Sequence, residues 1–171
     1  MMDYKEYPEK DMSLKPLQAG FMQMDDYKKA HESLVIFCHD IFVHYEGGIL
    51  LIRRKKEPAK DVLWPLGGRV MRGIDVFESA KIKVWEEAQL RLTDLCLLGM
   101  GRTYFPTDPF GHGHGTDSVN AILFAKGNGQ LRLDDLHEHP VIIKSEDCTA
   151  EFLNSLEPYV RDYLLLAFNK I

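Results

Sequence analysis

The sequence has few cysteines, no long apolar run and no excess of positive charge. Three cysteines with no C-x-x-C pair occur among its 171 residues, which predicts reduced thiols rather than disulfides. No run approaches the roughly 20 apolar residues of a membrane span, and no apolar stretch near the N-terminus could act as a signal. The net charge of -5 argues against general attraction to nucleic acid. These absences predict a cytoplasmic protein with no membrane or nucleic-acid partner.

The composition is that of a folded domain. Hydrophobic residues make up 45% of the chain and aromatic residues 11%, which is enough for one core at this length. Residues 1–16 are charged and broken by two prolines, so they predict a flexible arm. Residues 17–171 are predicted to form a single domain, and the apolar segment 17–24 is consistent with a homodimer.

Apolar patterning predicts a mixed sheet between helices. Residues 34–45 and 49–54 are β-branched and aromatic and flank Gly47-Gly48, which predicts a hairpin of two buried strands. Good helix formers at 25–31 and an apolar stripe over 149–170 predict helices. Further strands are expected at 96–105, 118–126 and 140–144. The predicted fold class is α/β (α+β), a sandwich with the sheet between helices.

A central helix is predicted to start at Asp75. The spacing of Asp75 and Glu78 is that of a helix N-terminus, where a carboxylate accepts backbone N–H groups. Two apolar lines at helical spacing predict burial on two sides. The first line comprises Val76, Ala80, Val84 and Ala88, and the second comprises Ile82, Trp85 and Gln89.

The adjacent carboxylates Glu86 and Glu87 end this helix, where the helix dipole disfavours negative charge. A divalent cation with oxygen ligands would offset their repulsion. Alternatively, both side chains face water, or Lys83 pairs with Glu87 one turn away.

The same segment resembles the Nudix hydrolase box, a glycine followed by a helix that ends in Glu-Glu. The features in common are Gly68, Val84, the Glu86-Glu87 pair and Leu90, preceded by a turn that contains Trp64-Pro65-Leu66-Gly67. The fold implied is the Nudix α/β/α sandwich. The chain departs from the box at four positions, namely Ile74, Ile82, Lys83 and Gln89.

Within the Nudix family, the chain is most similar to the GDP-mannose mannosyl hydrolases. The stretches that carry this similarity are Arg54 with Pro58-Ala59, Gly67-Gly68-Arg69-Val70 and Gly115-Thr116-Asp117. The resemblance implies hydrolysis of a nucleotide sugar, in which water attacks the anomeric carbon and nucleoside diphosphate leaves. It also implies a Mg²⁺ ion, or Mn²⁺ in its place, as cofactor.

The resemblance assigns roles to particular residues. Glu87, with Glu86 and the Gly68 carbonyl, would hold the metal. Arg54 and Arg69 would bind phosphates, since guanidinium groups suit bidentate contacts. His137 would be the general base, because histidine side chains titrate near neutrality. The expected pocket would also contain Asp40 and Tyr104 as catalytic residues, and Asp117, His112 and His114 as substrate-binding residues.

Alternatives remain open at several of these positions. Lys83 replaces a carboxylate ligand of the family and Leu136 replaces a glutamine, so the domain could bind a nucleotide or nucleotide sugar without turnover. A diphosphatase is a third reading. His137 and His139 could form a solvated loop, and Arg53 and Arg54 could be ordinary strand-edge charges. The segment 108–116, with its two histidines between glycines, could be a lid, a flexible turn or part of a zinc site.

Overall fold

The structure, a computed structural model, describes residues 4–7 and 22–171. In this part of the chain, the helices are α1 (Met24–Ser33), α2 (Val76–Ala88), α3 (Ala150–Ser155) and α4 (Pro158–Phe168), with one 3-10 turn at Ser145–Asp147. The strands are β1 (Ile36–Tyr45), β2 (Gly48–Arg54), β3 (Leu63–Trp64), β4 (Leu66–Arg69), β5 (Arg91–Phe105), β6 (Thr116–Asn128) and β7 (His137–Ile143).

The strands form one mixed sheet. Its main order is β3-β2-β1-β6-β5, with β7 beside β2 and β4 beside β1. Strands β1 and β6 are parallel, and the other pairs are antiparallel. Beyond the Val43–Leu50 pair, β1 and β2 separate, and the β3–β4 segment fills the gap between them. Residues of β1, β2 and β4 therefore come close together at this part of the sheet.

The predicted hairpin between β1 and β2 is confirmed, with its turn one residue earlier than the two glycines suggest. Glu46 and Gly47 both have positive φ, at 47° and 81°. That pair of conformations matches the type I′ turn, whose twist suits two antiparallel strands. Glycine therefore serves the second turn position, and Gly48 already belongs to β2.

Apolar layers cover both faces of the sheet, as the predicted sandwich requires. Alternate residues of β1 point to opposite faces, so Ile41 and Val43 pack with α2, whereas Phe42 packs with α3 and α4. On the α2 side, Val76, Ala80, Val84 and Ala88 are fully buried. The first predicted apolar line of this helix and its Asp75 N-cap are confirmed, since Asp75 accepts from two backbone N–H groups.

Two helix predictions are wrong. The second apolar line of α2 is exposed, including Ile82 and Trp85, because the sheet covers only one side of the helix. The predicted helix over 149–170 is two helices, since Pro158 lacks the N–H that an unbroken helix needs and instead begins α4.

The predicted flexible arm and the apolar segment 17–24 lie largely outside the described residues. Of the described ones, Tyr4 packs edge-to-face on Phe77, and Glu6 accepts a hydrogen bond of 3.0 Å from the Val76 N–H at the start of α2. The single domain and the homodimer stay predictions. No helix in the described ranges is long and apolar enough to cross a membrane.

Candidate functional site

A pocket lies on the α4 side of the sheet, where the apolar layer ends. Its walls contain the charged side chains Asp40, Arg54 and Arg69, contributed by β1, β2 and β4. Tyr27 and His31 of α1 close another wall. Asp40 and Phe42 are two residues apart on β1, so their side chains point to the same face of the sheet. Phe42 is buried in the core on that face, and Asp40 lines the pocket.

Asp40 is a buried carboxyl held by neutral donors. The Tyr159 hydroxyl donates to its Oδ2 at 2.6 Å, and the Trp64 indole N–H donates to its Oδ1 at 3.3 Å. Burial raises the pKa of Asp40 to about 6, although these hydrogen bonds and the Arg54 charge act in the opposite direction. Asp40 can therefore exchange a proton at a moderately acidic pH.

Arg54 and Arg69 supply positive charge to the pocket. The Arg54 Nε is buried, and no acceptor within the described residues pairs with it. The Arg69 guanidinium lies 4.6 Å from the centre of the Tyr27 ring, a cation–π geometry. A buried donor without a partner is costly, so an incoming anion would satisfy Arg54.

Glu87 lies next to the pocket, behind the glycine pair of β4. Its Oε2 accepts a hydrogen bond of 3.1 Å from the Gly67 N–H, and its Oε1 lies 3.1 Å from the Lys83 ammonium. Burial raises the pKa of Glu87, opposed by the charges of Lys83 and His137. The i,i+4 pairing of Lys83 and Glu87, one of the two alternatives to a metal site, is present in the structure.

His137 is the first residue of β7 and lies opposite Arg54 in the β2–β7 ladder. Its Nδ1 is 2.7 Å from the Asp134 Oδ1, and its side chain is 9% exposed. His137 is therefore not part of a solvated loop. Because an ionised carboxylate can only accept, Nδ1 must be the donor. In the neutral imidazole this leaves Nε2 as an acceptor, whereas the charge that acts on Glu87 belongs to the protonated form.

The donor set around Glu87 does not fit a divalent cation. A metal bonded to the Glu87 Oε1 at about 2 Å would lie within about 5 Å of the Lys83 ammonium, which is 3.1 Å from that oxygen, and like charges at that distance repel. The other oxygen, Oε2, already accepts from the Gly67 N–H. Glu86, the second predicted ligand, is exposed to solvent. Residues 4–7 and 22–171 contain no group of three or more histidine, cysteine, aspartate or glutamate side chains that could hold a metal ion.

The structure does not bring Tyr104 and Asp117 into the pocket. Both alternate with pocket-lining neighbours, Tyr104 with Thr103 and Phe105, and Asp117 with Thr116 and Ser118. They form a surface cluster instead, in which Arg102 makes two hydrogen bonds to Asp117 and lies 4.9 Å from the centre of the Tyr104 ring. The side-chain alternation of a strand excludes both residues from the face that carries their neighbours.

His112 and His114 belong to the loop that packs against α1. His112 Nε2 lies 2.9 Å from Nδ1 of the pocket residue His31, while His114 is exposed beside Glu32. Asp108 holds this loop by accepting from the backbone N–H groups of residues 110, 112 and 113. His112 therefore contacts the pocket residue His31, but neither His112 nor His114 lines the pocket.

Several residues that line the pocket or contact its neighbouring side chains are missing from the sequence-based prediction. Thr103, Ser118 and Asn120 form a hydrogen-bonded polar row on the pocket face of β5 and β6, with distances of 2.9 and 3.1 Å. Their signal in the sequence is polar residues at alternate positions of an otherwise apolar strand. Asp134 could have been found from its spacing to His137. Tyr159 carries no local signal, since it is 119 residues from its partner Asp40.

No protein-family model matches the chain, and no curated protein matches it in sequence. Solved structures do match. The MutT NUDIX hydrolase from Burkholderia pseudomallei is 22% identical with a TM-score of 0.63, over 78% of this chain and 98% of that one. The NUDIX domain of NrtR from Shewanella oneidensis, solved with ADP ribose, is 13% identical with a TM-score of 0.57, over 87% of this chain and 99% of that one.

A third similar structure is larger. It is a bifunctional NMN adenylyltransferase/ADP ribose pyrophosphatase from Francisella tularensis, complexed with AMP and a Mn ion. It is 15% identical with a TM-score of 0.58, and the match covers 85% of this chain and 44% of that one. At such identities the likeness is one of fold, and it agrees with the element order and the two helical layers described above. The chain therefore has the fold of the Nudix hydrolases.

Proposed function

We propose that this domain binds a nucleoside diphosphate derivative in the pocket and hydrolyses it. The observation that carries this proposal is the pair of pocket-lining guanidinium groups, Arg54 and Arg69. An oriented imidazole, His137, lies outside the pocket lining but opposite Arg54 in the β2–β7 ladder. Nucleotide sugars of the GDP-mannose type are the substrate class we favour, on the sequence resemblance to enzymes that act on them. ADP ribose, bound by a protein of the same fold, is a second substrate to test.

The diphosphate group would lie against Arg54 and Arg69. Guanidinium groups present several N–H donors in a fixed plane and match phosphate oxygens in pairs. The partnerless Nε of Arg54 supplies a donor that needs an acceptor. The polar row of Thr103, Ser118 and Asn120 could bind hydroxyl groups of the sugar or ribose through neutral hydrogen bonds.

His137 would act as the general base in this reaction. Asp134 fixes the Nδ1 proton, so Nε2 can take a proton from water as the water oxygen bonds to the anomeric carbon. The bond between that carbon and the diphosphate oxygen breaks, and its electron pair leaves with the nucleoside diphosphate. Arg54 and Arg69 stabilise the charge on this leaving group.

A second candidate is a binding domain without turnover. It is favoured by the Lys83–Glu87 contact, since a lysine occupies the position of a carboxylate in the resembled family and pairs with the remaining one. Under this alternative the pocket binds the same class of nucleotide, but no product forms. The two functions therefore differ in turnover and share the requirement for Arg54.

Phosphorus NMR of a panel containing GDP-mannose, GDP-glucose and ADP ribose tests the proposal, with Mg²⁺ or with EDTA. We expect release of nucleoside diphosphate from a nucleotide sugar, lost in Arg54→Ala. Arg53→Ala is the matched control, because Arg53 donates to the backbone carbonyl of Asp61 and does not line the pocket. Two monophosphates would indicate a diphosphatase, and Arg54-dependent binding without products would indicate the binding domain.

A further inference from the structure

Lys83 and Glu87 form an ion pair of unequal exposure beside the pocket. The Lys83 ammonium lies 3.1 Å from the Glu87 carboxylate, one helical turn along α2. The Glu87 side chain is only 5% exposed and that of Lys83 is 28% exposed. Another lysine of α2, Lys81, pairs with Glu78 on the outer face, where the two side chains are 41% and 57% exposed. The inner pair therefore differs from an ordinary surface pair in its burial.

Glycine at position 68 lets the lysine stem lie across β4. A Cβ placed on Gly68 would be 3.0 Å from the Lys83 Cε, which is tight for two aliphatic carbons. Gly68 lines the pocket, so the lysine crosses directly behind a pocket wall. Burial lowers the pKa of His39, and the charge of Lys83 acts in the same direction. Burial raises the pKa of the pocket residue Tyr27, and the charge of Lys83 opposes that rise. The ammonium thus lies beside the β4 wall of the pocket, although Lys83 is not itself a lining residue.

The charges of this region balance in favour of an anion. Arg54, Arg69 and Lys83 contribute three positive charges. Asp40 and Glu87 contribute at most two negative ones, and the carboxylate of Asp134 is paired with His137. An ammonium group has three N–H donors, and one carboxylate does not accept from all of them. After Lys83 pairs with Glu87, it retains donors for a second oxygen.

We propose that the Lys83 ammonium is the fixed cation of this site, held by Glu87 and directed at a phosphate group of the bound nucleotide. The pocket would then bind a nucleoside diphosphate without a divalent metal ion. This inference rests on the proposed function in one respect, that the pocket receives a diphosphate. Its statement about the cation is independent of turnover, and it explains why Glu87 lacks the further carboxylates that a metal would need.

Binding of Mn²⁺ to the nucleotide-free protein tests the cation assignment. Electron paramagnetic resonance should show no site in the wild type with a dissociation constant below about 1 mM, the weak limit for protein sites of hard cations. Lys83→Glu places a second carboxylate one turn from Glu87, and we expect Mn²⁺ affinity to rise at least about tenfold. Lys81→Glu makes the same charge change on the exposed face and should gain no site.

Calorimetric titration with GDP and with ADP tests whether Lys83 contributes to nucleotide binding. The wild type should bind one of them with the same affinity in EDTA and in Mg²⁺. We expect Lys83→Met to weaken binding by about tenfold to a hundredfold, since it removes a charged hydrogen bond. Lys81→Met should leave the affinity unchanged, and circular dichroism would verify that both variants are folded.

The outcomes separate failure of this inference from failure of the proposed function. Tight Mn²⁺ binding by the wild type, abolished in Glu87→Gln, would overturn the cation assignment whether or not nucleotides bind. Absence of a Mn²⁺ site in Lys83→Glu would also overturn it, because the position would then not be a cation site. If Lys83→Glu gains Mn²⁺ but the wild type binds no nucleotide, the proposed function fails and the cation assignment stands.

Discussion

Asp40 and Glu87 are two buried carboxyl groups on opposite sides of the β4 glycines, and they are held in different ways. Neutral donors, a phenol and an indole, hold Asp40. A lysine ammonium and a backbone N–H hold Glu87. Burial raises the pKa of both, but only Glu87 has an attached cation. Although both side chains are buried, Asp40 can exchange a proton, whereas Glu87 is held in an ion pair with Lys83.

The largest expected effect is on turnover. It concerns His137, whose charge acts on Glu87. Replacing His137 with Gln removes the free Nε2 and should lower kcat by about 10²- to 10⁴-fold, the usual contribution of a general base. Turnover measured by phosphorus NMR provides the readout. The control is His139→Gln, since His139 is exposed two residues away. Equal activity of the two variants would remove His137 from the mechanism.

The Asp40 side predicts a pH dependence of stability. Because the pKa of Asp40 is about 6 in the folded protein against an ordinary 3.8, the folded state binds this proton more tightly than the unfolded state. The resulting stabilisation is complete below about pH 4 and is lost as pH rises through 6. We expect this loss to be at most about 3 kcal/mol.

Urea denaturation of the wild type and Asp40→Asn between pH 4 and 7 measures this loss. The asparagine variant cannot titrate at this position, so the difference between the two free energies of unfolding should change with pH in favour of the variant. Carboxyl groups that do not interact with Asp40 contribute equally to both proteins and cancel. Glu87, whose charge adds to the rise that burial causes in the pKa of Asp40, contributes a smaller coupled effect. A constant difference across this range would mean that Asp40 titrates near its ordinary value.

The inner and outer lysine pairs of α2 should differ in coupling energy. A double-mutant cycle with Lys83→Met and Glu87→Gln should give about 1–2 kcal/mol, because little water screens the Glu87 carboxylate. The same cycle with Lys81→Met and Glu78→Gln should give at most about 0.5 kcal/mol, as exposed pairs do. Equal coupling would show that burial does not distinguish the two pairs.

The smallest effect concerns the neutral donors of Asp40. Tyr159→Phe removes the 2.6 Å hydrogen bond to Asp40 and should lower the free energy of unfolding by about 1 kcal/mol. Tyr163→Phe is the control from the same helix, since its hydroxyl donates to the Met100 backbone carbonyl near the surface. If both variants lose the same free energy of unfolding, the hydrogen bond from Tyr159 to Asp40 contributes no more than a surface hydrogen bond.

Sequence patterns that involve only neighbouring residues predicted several of the helices and strands correctly. The Asp75 cap, the first apolar line of α2 and the β1–β2 hairpin depend on neighbouring residues, and each is present in the structure. The second apolar line failed because hydrophobicity alone does not reveal which side of a helix the sheet covers. A continuous helix over 149–170 failed at Pro158, whose missing N–H outweighs an apolar stripe that continues beyond it.

The candidate site was less predictable, because it depends on contacts between distant segments. Arg54, Arg69 and Asp40 lie together as expected from the resemblance, whereas Tyr104 and Asp117 point to the other face of their strands. The register of β5 contains two irregularities before Tyr104, so its facing could not be counted from the start of the strand. The contact between Tyr159 and Asp40 exists only once α4 packs on the sheet.

A crystal structure of the protein with GDP, grown in EDTA, tests the central claim most directly. We predict that the diphosphate lies in the pocket between β1 and β4, with its oxygens within hydrogen-bond distance of the Arg54 and Arg69 guanidinium groups and the Lys83 ammonium. A nucleotide bound elsewhere, or in this pocket with Lys83 turned away to solvent, would contradict the account.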